Sequence, residues 1–203
     1  MSRANQFVER VLQRVRADGV RAYEFHHWSL PGKVTEETVG LLPVPDLDPE
    51  ALLARVLDVN HYVGNVDHVV ECRSVADPAI EPTAAPGAVR FYQRIKVPLL
   101  GDVHHELVLR RLEGAPGGFQ IAAWEMLERE TEALPAKRGI RSAYNDGAWL
   151  VAPGLVGYAL SSCPRREDVG LLKWKAMTSG AEMAASRMIR ENIEGMVRWS
   201  KRP

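Results

Sequence analysis

Three polar residues, His105, Glu125 and Arg141, are candidates for chemistry because they lie in segments that otherwise alternate like β-strands. Successive residues of a strand point to opposite faces of a sheet. The odd positions of 103–109 and of 121–127 are otherwise apolar, which predicts that His105 and Glu125 share an inward face. Histidine and glutamate can transfer protons, and arginine can hold an oxyanion. The three residues could form the polar end of an apolar binding site, and a structural ion pair would use the same residues.

Turn positions set the expected register of these residues. A turn centred near Ala115 places His105 opposite Glu125, and a connection over 128–139 places Glu125 opposite Arg141. The three residues would then form a row across neighbouring strands. A slip of one residue would move a side chain to the other face, so the row is a hypothesis about register.

Further residues extend this candidate ligand-binding set. Gln93, Leu107 and Asn145 belong to the same predicted inward face. A short Pro-Gly turn places Trp149 directly opposite Tyr158 on the next strand. We therefore predict two aromatic side chains in contact at one end of the site.

Several aromatic residues have the opposite parity and are predicted on the outer face of the sheet. These are Tyr92, Trp124 and Tyr144, together with Met126. An exposed apolar patch of this kind usually needs a cover. The apolar stripe of the first helix could cover it, and so could the second subunit of a homodimer, with a slight preference for the helix.

Composition excludes several classes of partner. The 203 residues include 26 Lys and Arg and 26 Asp and Glu, so the formal net charge is zero. Because nucleic-acid binding needs a concentrated positive face, no nucleic-acid partner is predicted. The length favours a single domain over 1–203. No apolar run is long enough to span a bilayer and no secretory signal is present, which favours a cytoplasmic protein.

Neither metal nor cofactor is predicted. Cys72 and Cys163 have no ligand spacing and are expected to be reduced thiols in strands. Adjacent histidines such as His104 and His105 point to opposite faces of a strand and cannot chelate one metal together. The sequence also lacks a GxSxG motif and a phosphate-binding glycine loop.

The predicted elements that would position these residues form an α+β plan. An amphipathic helix is expected over 3–17, and Asp48-Pro49 should begin a second helix. A Pro-Gly turn near residue 32 should join two β-segments within 23–42. The later strands, joined by short turns and therefore antiparallel, are predicted at 66–75, 88–98, 103–112, 118–127, 140–151 and 155–163.

The chain is predicted to end in one long helix from about Gly170 to Lys201, with an apolar face. Met177, Ala181, Ala184 and Met188 lie at helical spacing on that face. Small residues near the middle of the helix would leave room for a ligand above the sheet, and methionines would suit an adaptable apolar wall. Close packing of helix on sheet is the alternative.

The pattern resembles the START-like (SRPBCC, polyketide cyclase/lipid-transport) helix-grip superfamily. The resemblance covers roughly 34–201, leaving 1–20 as an N-terminal amphipathic extension. Its matching segments are Val56–Tyr62, Val66–Cys72, Val89–Tyr92, Asn145-x-Gly147-x-Trp149, Tyr158 and the last helix. It implies a curved antiparallel sheet of about six to seven strands wrapped around a long C-terminal helix.

The resemblance also implies a class of function. A non-enzymatic module that binds or transports a lipid or other hydrophobic small molecule is the preferred reading, with 128–139 as a candidate lid. An aromatase/cyclase-like enzyme is the rival, in which His105 or Glu125 would be the general base and Arg141 would hold an enolate oxygen. An interaction module without a cavity is the third alternative.

Overall fold

The computed structural model describes residues 2–76, 88–98, 100–114, 118–171, 173–174 and 181–202, with the side chains of 181–184 outside the description. Eight strands and five helices are described, besides two short 3₁₀ helices. In chain order the elements are α1 (Arg3–Leu12), β1 (Glu24–Trp28), β2 (Glu37–Pro43), α2 (Pro49–Leu57), a 3₁₀ helix (Val59–His61), β3 (Val69–Ser74), β4 (Ala88–Val97), β5 (Gly101–Leu112), β6 (Gln120–Met126), α3 (Glu128–Ala133), a 3₁₀ helix (Ala136–Arg138), β7 (Ile140–Ala152), β8 (Leu155–Pro164), α4 (Arg166–Val169) and α5 (Ala181–Ser200).

All eight described strands form one sheet in the order β1-β2-β8-β7-β6-β5-β4-β3. Neighbours in this order pair antiparallel, and β5 additionally pairs in parallel with β7 over two residues. The α+β class is therefore confirmed, with a sheet slightly larger than the six to seven strands expected. The additional strand is β1, which pairs with β2 across the turn predicted near residue 32.

The sheet separates two apolar layers. The inner face packs on α2 and α5, where Leu53, Ile193 and Met196 are fully buried. The outer face packs on α1 through Phe7 and Val11. Helix α1 begins at Arg3 because Ser2 Oγ accepts a hydrogen bond from the backbone N–H of Asn5, as an N-cap does. Helix α1 thus covers part of the outer face, but the patch predicted to need a cover is not what it packs on: Trp124 and Met126 lie in the inner layer.

The predicted parity is wrong on β6, although it holds on β4 and β5. Leu107 pairs with Met126 and Leu109 with Trp124, so odd positions of β5 face the same way as even positions of β6. Trp124 and Met126 consequently lie in the inner layer, while Ile121 packs in the outer one. The cause is that the observed β5–β6 register differs by three residues from the predicted one, which was centred on Ala115. A shift by an odd number of residues exchanges the two faces of a strand.

The sequence did not predict the short helix α4, which ends just before the expected start of the C-terminal helix. Gly170, whose φ of 78° is left-handed, separates the two, and the backbone N–H of Trp174 donates to the carbonyl of Gly170 as in a helix. The described part of the long helix is α5. Gly40 of β2 lies under it, because a Cβ there would come 2.5 Å from Cγ2 of Ile189. Helix and sheet are therefore in close contact at this point.

Cys72 and Cys163 are free and buried in β3 and β8, as predicted. None of the helices in the described ranges is long and apolar enough to cross a membrane. Within those same ranges, no group of three or more His, Cys, Asp or Glu side chains could hold a metal ion.

Candidate functional site

A group of hydrogen-bonded uncharged side chains lies on the inner face of the sheet. Nε2 of His105 is 3.2 Å from Oε1 of Gln93, and Nδ1 is 3.0 Å from Oγ of Ser142. Nδ2 of Asn145 lies 3.3 Å from the same ring. His105, Ser142 and Asn145 are buried and Gln93 is half-buried. We call Gln93, His105, Ser142 and Asn145 the inner polar cluster.

Strand lengths explain why these residues meet. Gln93 and His105 are directly paired on β4 and β5. Strand β6 ends at Met126, which is opposite Leu107, so His105 lies beyond the end of β6. Residues of β7 occupy that place, and β5 pairs directly with β7 there. The histidine ring therefore contacts β7 without an intervening strand.

The contacts of His105 fit a single neutral tautomer. Nε2–H donates to Oε1 of Gln93, which leaves Nδ1 to accept from Oγ–H of Ser142. Burial and, secondarily, the neighbouring His104 lower the pKa of His105 from 6.5 to about 3. His105 is therefore uncharged near neutral pH, and proton transfer through it would require a strongly unfavourable protonated form.

This depressed pKa predicts an acid-dependent loss of stability. In the unfolded chain His105 takes up a proton below pH 6.5, whereas in the folded protein it does so only near pH 3. Stability should fall as pH decreases through that window, by up to about 1.4 kcal/mol per pH unit for one proton. Urea unfolding between pH 7 and pH 4 should show this dependence of the free energy of unfolding on pH. In His105→Gln the slope should be smaller by the contribution of about one proton. An unchanged slope would contradict the assignment.

Three aromatic rings continue the site beside the cluster. Nε1–H of Trp124 donates to Oδ1 of Asn145 at 2.8 Å. The Tyr158 ring contacts Trp149 and Trp124, with centroid distances of 4.6 and 5.4 Å. Trp149 and Tyr158 are paired in register, as the Pro-Gly turn predicted. Gly147 provides the space for Trp124, because a Cβ at this position would overlap the indole ring.

The inner face of β8 is incompletely covered along one half of the strand. Its outer-face residues are buried, namely Ala159, Ser161 and Cys163. The alternating inner-face residues are only partly buried, namely Tyr158, Leu160 and Ser162. Burial also raises the pKa of Tyr158 well above its usual range. Tyr158 and Leu160 pack against the inner core and still keep accessible surface.

Comparison with known proteins identifies the fold. No protein-family model matches the sequence, and no curated protein matches it significantly. The structure of the STAR-related lipid transfer protein from Xanthomonas axonopodis superposes with a TM-score of 0.68 at 12% identity, covering 92% of this chain and 97% of that one. Human STARD10 superposes with a TM-score of 0.69 at 13% identity, covering 98% and 81%. The chain has the START-like helix-grip fold.

A third START-like structure comes from a different kind of protein. The di-domain ARO/CYC StfQ of the steffimycin biosynthetic pathway superposes with a TM-score of 0.50 at 13% identity, covering 81% of this chain and 50% of that one. At identities this low the comparisons establish the fold. Function has to be argued from the site.

The START-like fold does not assemble the predicted row of His105, Glu125 and Arg141. Glu125 pairs with Val108 and points to the outer face, where its carboxylate is 2.8 Å from Arg110. It also accepts a hydrogen bond from the backbone N–H of Ala4 at the start of α1. The shifted β5–β6 register is the cause, since it exchanges the two faces of β6. Glu125 is therefore excluded from the inner site.

Arg141 is also outside the site. It is in register with His104, and its guanidinium lies 2.8 Å from both carboxylate oxygens of Asp168 on α4. This pairing holds the pKa of the Asp168 carboxyl below its usual range. The sequence left open a structural ion pair within the predicted row, but Glu125 is not the partner of Arg141: the partner is Asp168. The predicted lid likewise contacts outer-face residues, as Arg138 lies beside Tyr92 and Glu71.

The other predicted site residues fall into three groups. Leu107 is buried in the inner core, and Met188 is half-buried on α5. Ala181 and Ala184 lie in the first turns of α5, where side chains are outside the description. Met177 lies outside the described residues. Their role in ligand binding stays a prediction.

Sequence reasoning missed three residues. Ser142 was not predicted on the inner face because the β7–β8 pairing shifts register between Ser142 and Tyr144. This shift breaks the simple alternation of β7. Trp124 was assigned to the wrong face. Asn192 lies on α5 one turn before Met196, and its buried Oδ1 has no hydrogen-bond partner among the described residues. A polar residue within an otherwise apolar helical stripe was the available indication.

Proposed function

We propose that this protein binds a lipid or another hydrophobic small molecule between the inner face of the sheet and α5. The partial burial of Tyr158, Leu160 and Ser162, in a strand whose opposite face is fully covered, is the observation that supports it. Apolar side chains seldom remain uncovered inside a domain of this size unless something else fills the space.

The position of α5 supports a particular placement of this ligand. The helix is in close contact with β2 where Ile189 meets Gly40, and Oη of Tyr23 donates to the carbonyl of Ser186 at 2.8 Å. Gly40 is in register with Tyr158. From that point the less-covered inner face of β8 continues toward Ser162. The ligand would therefore lie next to the Ile189 contact, with the inner polar cluster at one end.

The comparisons are consistent with this proposal. The Xanthomonas protein is described as a STAR-related lipid transfer protein, and it shares the arrangement of sheet and C-terminal helix. We infer that the whole chain is one START-like domain with α1 as an N-terminal extension across the outer face. A cytoplasmic location and a homodimer stay predictions from the sequence.

An aromatase/cyclase-like activity is less well supported. Two of the three residues that it would use, Glu125 and Arg141, are paired on the other side of the sheet. The third, His105, is a weak base with a pKa of about 3 and has both ring nitrogens hydrogen-bonded. A general base works best with a pKa near the working pH. Binding without catalysis is therefore the function we propose.

Filling the proposed space should abolish binding without unfolding the protein. Leu160→Trp adds a large apolar side chain at a half-buried inner-face position. We expect at least about a tenfold loss of affinity for Nile red, a neutral hydrophobic dye, equivalent to about 1.4 kcal/mol. Fluorescence titration measures this loss, and native mass spectrometry of gently purified protein should show a bound lipid that Leu160→Trp lacks.

The matched control introduces the same side chain on the surface. Val34 is 59% exposed, so Val34→Trp should bind Nile red like the unaltered protein. Equal affinities for Leu160→Trp and Val34→Trp, with thermal unfolding confirming that both are folded, would exclude a ligand next to β8.

A further inference from the structure

We propose that the polar end of this site accepts an uncharged hydroxyl or carbonyl group and discriminates against a phosphate or carboxylate. The inference rests on the proposed function and specifies its ligand as a neutral amphiphile. It depends on the composition and the hydrogen bonding of the inner polar cluster, in which four uncharged side chains meet beside three aromatic rings.

The described contacts of this cluster are all with uncharged groups. In the part of the chain that the structure describes, no Asp, Glu, Lys or Arg side chain hydrogen-bonds to any of its members. The inner-face arginine of β5, Arg111, lies six residues beyond His105, about 20 Å along the strand, and pairs with Glu50 at 2.6 Å. The nearer arginine on β7, Arg141, is paired with Asp168.

An ionised ligand group would be poorly stabilised here. Burying an ion costs several kcal/mol unless an opposite charge or several hydrogen bonds compensate it. Protonation of His105 would supply a positive charge, but burial lowers the pKa of this residue to about 3. A hydroxyl or carbonyl requires only hydrogen bonds, which an uncharged cluster can provide.

Two free polar groups match such a ligand. Oε1 of Gln93 accepts from His105, whereas no described residue accepts from Nε2 of Gln93, which remains a free donor on a half-buried side chain. Oδ1 of Asn192 on α5 is a buried acceptor, and no described residue donates to it. A ligand hydroxyl can accept from a free amide N–H or donate to a free amide oxygen. Buried polar atoms are normally paired, so an unpaired acceptor on the helix that bounds the proposed site supports this assignment.

A matched pair of lipids tests the inference. Monooleoylglycerol and lysophosphatidic acid with the same oleoyl chain differ by one phosphate. Both are delivered from cyclodextrin to the full-length protein loaded with Nile red, and dye displacement is followed by fluorescence. We expect monooleoylglycerol to displace the dye at a concentration at least about tenfold lower, corresponding to about 1.4 kcal/mol. Equal or stronger displacement by lysophosphatidic acid, or displacement by neither lipid, would overturn the inference.

Two variants link the preference to named atoms. Gln93→Leu and Asn192→Leu should each weaken monooleoylglycerol binding about fivefold relative to Gln6→Leu, because each variant removes a hydrogen bond to the ligand. Gln93→Leu also removes the acceptor of Nε2–H of His105, so thermal unfolding checks that this variant is folded. Asn192→Leu should not destabilise the fold, since its Oδ1 has no partner to lose. Gln6→Leu, at an exposed position on α1, is the control. Unchanged lipid affinity in both variants would contradict the assignment.

The two proposals fail in different ways. Absence of saturable Nile red binding to the unaltered protein would contradict the proposed function itself. Normal Nile red binding together with a preference for lysophosphatidic acid would leave the binding function standing and reject the uncharged ligand group.

Discussion

Gly147→Ala should lower the free energy of unfolding by about 3 kcal/mol and disrupt the candidate site at the same time. A Cβ at this position would come 2.5 Å from Cε2 of the Trp124 indole, far inside van der Waals contact. The ring cannot simply move away, because Trp124 is buried, donates to Asn145 and contacts Tyr158. Overpacking of this kind typically costs 1–3 kcal/mol, and the lost hydrogen bond adds to it.

Urea unfolding measures the loss of stability, and tryptophan fluorescence of the folded variant reports the displaced indole. Ala143→Val is the matched control, because it adds carbon atoms at an exposed position of the same strand. It should change the free energy of unfolding by less than about 0.5 kcal/mol. If Gly147→Ala were as stable as this control, the close approach of Trp124 to β7 would be wrong.

Glu37→Ala should destabilise the protein by about 4 kcal/mol. The Glu37 side chain is fully buried, and its carboxylate accepts from Arg10 at 2.7 Å, from Lys33 at 3.0 Å and from Trp28 at 3.0 Å. Removing the anion leaves two partly buried cations without compensation, which typically costs 3–5 kcal/mol. Because Arg10 lies on α1, the variant should also loosen that helix from the outer face, which faster amide hydrogen exchange in α1 would reveal.

The same carboxylate predicts a pH dependence. Burial alone would raise the pKa of Glu37, but the hydrogen bonds from Arg10 and Lys33 outweigh it, so the pKa lies below the usual 4.5. Its stabilising contribution is present above pH 4.5 and should be lost as pH falls through the lower folded pKa. Glu37→Gln should remove this part of the acid-induced loss.

The neighbouring Glu36 is the matched control for Glu37. It lies on the surface directly before β2, with its carboxylate 2.7 Å from Nδ1 of His27, and its side chain is 43% exposed. Glu36→Ala should cost less than about 1 kcal/mol, as surface ion pairs usually do. Similar losses for both alanine variants in urea unfolding would refute the buried network around Glu37.

The strand positions were predictable because local patterns determine them. Alternation and short turns predicted β4 at 88–98 and β7 at 140–151, within a few residues of the observed strands. The Trp149–Tyr158 pair followed from a turn too short to allow another register. The fold class followed from the order of these elements.

The site was only partly predictable. The predicted face was correct for Gln93, His105 and Asn145. Odd positions of β4 pair with odd positions of β5, and β7 keeps its regular alternation from Trp149 back to Asn145. Glu125 and Arg141 were assigned to it wrongly. The β5–β6 connection allows more than one register, and the packing of Trp124 against Gly147 is one contact that an alternative register would lose.

The sequence by itself determined the order of the elements, the approximate positions of the strands and the alternation of side chains within each strand. Only the tertiary structure decided which faces meet, that β6 ends before His105, and that Ser142 and Asn145 are hydrogen-bonded to its ring. The physical reason is that side-chain alternation repeats every two residues within one strand. Where no short turn fixes the register, the relative alignment of two strands depends on long-range packing, which no local pattern encodes.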